Sequence, residues 1–90
     1  MSKKEIKKDL INRIRTIKGH LGGIEKMIEE GKSCEQILIQ INAVKAAMNK
    51  IGMAIIENYT EECIMDAINS PENLQKKVRD IIESLVKFSR

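Results

Sequence analysis

The sequence predicts an all-α fold of three helices, and three observations carry that expectation. Apolar residues recur at steps of four and three along nearly the whole chain, and alternation with period two is absent. Aromatic residues make up only 2% of it, Tyr59 and Phe88, so the core must come from Ile, Leu, Met and Ala, which suits helices better than a β-sandwich. One proline and five glycines among 90 residues argue against a loop-rich or disordered chain. That length gives one small domain, residues 1–90.

Helix 1 is expected over about residues 4–30. Ile6, Leu10, Ile14, Ile17, Leu21, Ile24 and Ile28 form its stripe, and Gly31 follows as a C-cap signal. Gly19, Gly22 and Gly23 fall inside it, where the ordinary reading is a small-residue patch for close helix approach. Ser33-Cys34-Glu35-Gln36 has the spacing of a capping box, making Ser33 the N-cap of helix 2 and Cys34 its first residue. Ile37, Ile41, Val44, Met48, Ile51 and Ile55 then repeat at four and three, and no breaker except Gly52 intervenes before Ser70-Pro71. Helix 2 therefore runs over about 34–68. Ser70 and Pro71 suggest the start of helix 3, about 71–88, with Leu74, Val78, Ile81, Leu85 and Phe88 as its stripe.

A helix 2 of this length spans about 50 Å at 1.5 Å per residue, more than helix 1 or helix 3 can cover. A monomer would leave an apolar seam in water, so oligomerisation through helix 2 follows.

Several classes drop out. No run of 18 apolar residues is present to span a membrane, and the Lys-rich N-terminus lacks a secretory pattern. Two cysteines make no disulfide scaffold, and the expected location is cytoplasmic, with reduced thiols. With one histidine and no glycine-rich phosphate loop, an enzyme is hard to assemble and no cofactor is called for.

Cys34 and Cys63 sit about 43 Å apart along one helix, too far for an intrachain bond. Yet 29 steps of 100° return to within about 20° of the starting phase, so both thiols share a face. If two copies of helix 2 pack antiparallel about a two-fold axis near Met48–Asn49, Cys34 of one lies beside Cys63 of the other. Cys34, at a helix N-terminus with Lys32 two residues before it, is placed to favour a thiolate. Cys63 follows Glu61 and Glu62 and is less favoured, so the pair has the layout of a nucleophile and a resolving partner. Two small buried hydrophobes are the competing reading. As metal ligands the pair suits Cu(I) or Zn(II) but lacks further donors: Tyr59, one turn before Cys63, is a poor soft-metal ligand, and His20 reads as a packing residue.

Lys4, Lys8, Arg15 and Lys18 fall within an arc of about 80° on helix 1, opposite the apolar stripe. Lys45 and Lys50 lie near the inferred axis. In one subunit this is a solvated face; doubled by symmetry it becomes a broad positive surface suited to phosphates. No helix-turn-helix spacing, zinc finger or aromatic platform accompanies it, so charge indicates affinity for nucleic acid without specificity. A helical thiol protein with no DNA role remains open at this point.

Four segments in order carry a resemblance: Arg13-Ile-Arg-Thr-Ile-Lys-Gly-His-Leu-Gly-Gly-Ile24, Met27-Ile-Glu-Glu-Gly-Lys-Ser-Cys34, Gln40-Ile-Asn-Ala-Val-Lys-Ala-Ala47 and Glu57-Asn-Tyr-Thr-Glu-Glu-Cys63. Over roughly residues 10–68 the chain resembles the copper-sensitive operon repressor family, which also includes nickel/cobalt and formaldehyde sensors. The resemblance implies an all-helical dimer assembling into a dimer of dimers, which binds operator double-stranded DNA and lets go when its cysteine site is modified or loaded. It also implies that Arg13, Arg15, Lys18 and Lys50 occupy positions within a basic DNA-contact surface.

The departures shape the expectation. Copper-sensing members carry histidine four residues before the second cysteine, where this chain has Tyr59; nickel and cobalt members need further N-terminal histidines; formaldehyde sensors carry proline where this chain has Ser2. What remains is similar to the persulfide-sensing branch. That similarity implies that Cys34 accepts sulfane sulfur and that Cys63 of the partner subunit resolves it. The leading expectation is thus a repressor sensing reactive sulfur. The alternative is a Cu(I)-responsive repressor of the same family, with Cys34 and Cys63 as ligands.

Overall fold

The computed structural model describes residues 3–69 and 72–89. They form three helices, α1 (Lys3–Glu29), α2 (Cys34–Ile68) and α3 (Leu74–Ser89), with no strand among the described residues. The fold is all-α, as expected. No helix among the described residues is long and apolar enough to cross a membrane.

Two local devices make the turn between α1 and α2. Gly31 takes φ +70°, a left-handed conformation that costs glycine little. Its N–H donates to the Ile28 carbonyl at 3.1 Å and the Lys32 N–H to the Met27 carbonyl at 3.0 Å, the paired bonds of a Schellman motif. Ser33 then caps α2 reciprocally. The Gln36 N–H donates to Ser33 Oγ at 3.2 Å, and the Ser33 N–H donates to Gln36 Oε1 at 3.3 Å. Replacing Ser33 by Ala is expected to cost about 1 kcal/mol, read as a lower thermal midpoint. An unchanged midpoint would show that the box adds nothing.

The third helix begins later than its sequence suggests. α3 starts at Leu74 rather than near residue 71, and the Ser70–Pro71 cap lies outside the described residues. Glu72 and Asn73 form a turn, with Asn73 at φ 64°, a conformation asparagine tolerates better than most residues. The Asn73 carbonyl accepts the Lys77 N–H at 2.9 Å, so Asn73 takes the position from which the helix starts.

Two compact units are distinguishable, Met1–Ile51 and Gly52–Arg90, with α2 contributing to both. In the first, α1 and the first part of α2 make an antiparallel hairpin. Its core holds Leu10, Ile17 and Ile24, spaced every seventh residue along α1, together with Ile51. The half-buried His20 ties the hairpin together, its Nε2–H donating to Gln40 Oε1 at 2.7 Å. In the second unit, Ala67 is buried and no residue of α3 is.

Burial is sparse for so apolar a chain. Among the described residues, five hydrophobics are buried whereas fifteen large ones stay exposed, nine of them on α2. Leu38, Ile39, Met48, Ile55 and Met65 all stand open, more exposed apolar side chains than one helix of a folded chain ordinarily keeps in water. Gly19, Gly22 and Gly23 do not serve a close helix approach within this chain, since a Cβ added at any of them would meet nothing within 4 Å.

Candidate thiol site and nucleic-acid interface

The two cysteines occupy different surroundings. Cys34 is exposed at the first position of α2, directly after the Ser33 cap. Lys32 does not stand over the thiol alone: its Nζ lies 4.0 Å from Glu30 Oε2, and Lys26 Nζ lies 3.9 Å from Glu30 Oε1. The positive charge expected beside Cys34 is therefore shared with a carboxylate.

Cys63 is also exposed and lines the groove between α2 and α3 in the second unit. This groove, of ≈ 410 Å³, is walled by Ile55, Tyr59, Ile81, Leu85 and Phe88. Tyr59, singled out as replacing a nitrogen ligand, thus lies on the same wall as Cys63. A Cβ built on Gly52 would run into the Phe88 ring, so glycine gives the ring its seat. Gly52→Ala in a helix interior ordinarily stabilises by up to about 1 kcal/mol. Here that gain should vanish as the ring is displaced and return in a Phe88→Ala background. Equal thermal shifts in both backgrounds would contradict the seat.

The basic residues separate into two groups. Lys4, Lys8, Arg15 and Lys18 are exposed along one side of α1. Arg13 sits about 180° from the middle of that arc, at the edge of the buried stripe. There it lines a second groove, ≈ 480 Å³, between α1 and α2, with Thr16, Lys50 and three alanines, Ala43, Ala46 and Ala47. The structure therefore brings Arg13 and Lys50 together across the hairpin. Lys45, about 140° from Lys50 around α2, stands apart from them, and so does the Lys4–Lys18 side. Thr16, the alanine floor and the Asp9 carboxylate, whose Oδ2 accepts from Arg13 Nε at 2.9 Å, escaped the sequence reading. The small residues at 43, 46 and 47 carried the one available signal, a narrow face at helical spacing.

Among the described residues no group of three or more His, Cys, Asp or Glu is placed to hold a metal ion.

Residues 6–87 match the family model of the metal-sensitive transcriptional repressors. The chain belongs to that family. As a member of the metal-sensitive transcriptional repressor family, it is a transcriptional repressor and not an enzyme. It is similar to the copper-sensing transcriptional repressor CsoR of Bacillus subtilis, with 34% identity over 93% of this chain and 82% of that protein. The CsoR of Mycobacterium tuberculosis H37Rv is 30% identical over 92% of this chain and 68% of its own length. Among solved structures, the Cu(I) form of the copper-sensing repressor CsoR from Geobacillus thermodenitrificans superposes with a TM-score of 0.73 at 29% identity, covering 100% of this chain and 92% of that one. The nickel-responsive transcriptional regulator InrS gives a TM-score of 0.63 at 31% identity, covering 90% of each chain.

Proposed function

We propose that this family member represses transcription in the cytoplasm by binding operator double-stranded DNA as a homodimer that pairs into a homotetramer. Release follows when Cys34 of one subunit is bridged to Cys63 of the partner subunit. The observation that carries this reading is the unbroken course of α2 from Cys34 to Ile68. Helical periodicity along that stretch returns Cys63 to nearly the phase of Cys34, so that an antiparallel partner would make two equivalent dithiol sites. The exposed apolar residues of α2 supply the surface for such a pairing.

The relatives named copper-sensing put Cu(I) first among the effectors, ahead of the reactive sulfur that the sequence alone favoured. Two thiolates are soft donors that fit Cu(I), and the metal when bound would supply the bond between subunits. Cys34 and Cys63 would hold it, with Tyr59 contributing no soft third donor. That same tyrosine favours a second reading, reactive sulfur. The Cys34 thiolate would attack the sulfane sulfur of a hydropersulfide and expel its thiol, leaving Cys34 as a persulfide. The Cys63 thiolate of the partner subunit would then attack the Cys34 sulfur and expel hydrosulfide, forming an interchain disulfide. The thiol pair loses two electrons and the hydropersulfide is reduced to thiol and sulfide.

On α2, Cys34 lies about 170° from the face that carries Ala43 and Lys50. A bridge at the thiols therefore acts on the basic groove by shifting α2, without entering the groove itself. A near-complete switch needs a coupling of about 5.5 kcal/mol, which a bond between subunits can supply.

Anaerobic titration with Cu(I) against a strong competitor, in the presence of labelled promoter DNA, tests the order of the two readings. Tight binding with DNA release supports Cu(I). Release by polysulfide alone, with a dithiothreitol-reversible interchain link, supports reactive sulfur. No release by either reagent contradicts sensing at the thiols.

A further inference from the structure

We propose that Asp9 competes with a phosphate of duplex DNA for Arg13, at the groove between α1 and α2 where Arg13 and Lys50 meet. The inference rests on the repressor reading, takes Arg13 and Lys50 as phosphate contacts from it, and adds the competitor.

The groove is shaped for a close approach. Ala43, Ala46 and Ala47 give it a floor of single methyl groups, while Arg13 from α1 and Lys50 from α2 lie on its walls. At ≈ 480 Å³ it has room for a phosphate with its flanking sugar atoms. Thr16 Oγ1 already donates to the Asn12 carbonyl at 3.1 Å, so anion recognition falls on the two cations. A guanidinium and an ammonium flanking a small-residue floor suit an oxyanion whose charge is spread over two oxygens.

Arg13 does not meet that oxyanion unencumbered. Its Nε donates to Asp9 Oδ2 at 2.9 Å, one helical turn earlier on α1. The two side chains are 51% and 47% exposed, so the pair is screened by water and exchanges readily for a stronger anion. An incoming phosphate finds the fork of the guanidinium available but a carboxylate beside it. Asp9 thereby holds down affinity for any stretch of duplex, a contribution that depends on Arg13 and not on net charge alone.

The test uses the full chain and a labelled duplex of arbitrary sequence, read by fluorescence anisotropy across a salt series, because phosphate contacts do not depend on sequence. Asp9→Asn should tighten binding by about threefold and steepen the salt dependence. In an Arg13→Gln background the same substitution should change little. Ala46→Leu, which keeps every charge and favours helix, should weaken binding by about tenfold by filling the seat, with helicity retained. An equal effect of Asp9→Asn in both backgrounds, or a weakening by it, would overturn the competition. Unchanged affinity for Ala46→Leu would overturn the seat. If the unsubstituted chain bound no duplex at low salt, the repressor reading itself would fail along with this inference, which separates the two failures.

Discussion

Replacing Cys34 by Ser should abolish effector-driven release of DNA while leaving basal DNA affinity within about twofold of the parent, because the thiol face of α2 lies about 170° from the alanine-floored groove. Serine keeps the size and position of the side chain at the head of α2 but removes the soft, nucleophilic atom. Both effector chemistries need that atom. Cu(I) would lose one of its two thiolates, and a sulfane donor would lose its acceptor. Cys63→Ser divides the two readings further. Under Cu(I) sensing it should be as inert as Cys34→Ser. Under sulfur sensing it should still gain sulfur at Cys34, detected as an added 32 Da, without a link between chains. A Cys34→Ser protein that still released DNA would contradict both.

Introducing charge at the centre of the α2 seam should have the second large effect. Met48 stands 43% exposed in a single chain and lies beside the proposed two-fold axis. Met48→Glu would bring two carboxylates near each other across that axis in a surface meant to be dry. Burying such uncompensated charge costs on the order of 3–5 kcal/mol, enough to dominate a dimer of this size. Light scattering should then report the 10.2 kDa monomer, and DNA binding should be lost because the paired basic surface is gone. Within one subunit Met48 is not part of the buried core, so the helical content should persist. A Met48→Glu protein that kept the parent's assembly would place the seam elsewhere.

The parts of the fold written in local chemistry could be read from the sequence. Gly31 and the Ser33–Gln36 pair bound the first turn through bonds between residues only three to five positions apart, and such devices leave a direct trace in residue order. The start of α3 could not be read in the same way. Ser70-Pro71 is a plausible opening by type, yet the helix begins at Leu74 after an asparagine in a left-handed conformation, a choice that depends on how the chain turns back. The basic residues show the same limit. Periodicity treats one helix at a time, so it grouped Lys4, Lys8, Arg15 and Lys18 by phase. It could not see that Arg13 and Lys50, on separate helices, line one groove. The Phe88 seat on Gly52 is a meeting of two helices that no spacing rule anticipates.

The antiparallel pairing of α2 is the claim on which the sensing account depends, and mixed single-cysteine subunits test it most directly. Cys34→Ser and Cys63→Ser chains, mixed after denaturation and refolded together, are treated with a short thiol-specific crosslinker and digested for mass spectrometry. The account predicts one dominant product joining Cys63 of the first variant to Cys34 of the second, with little linkage between identical chains. Products joining Cys34 to Cys34 and Cys63 to Cys63, with the mixed product absent, would mean that the rods run parallel and would contradict it.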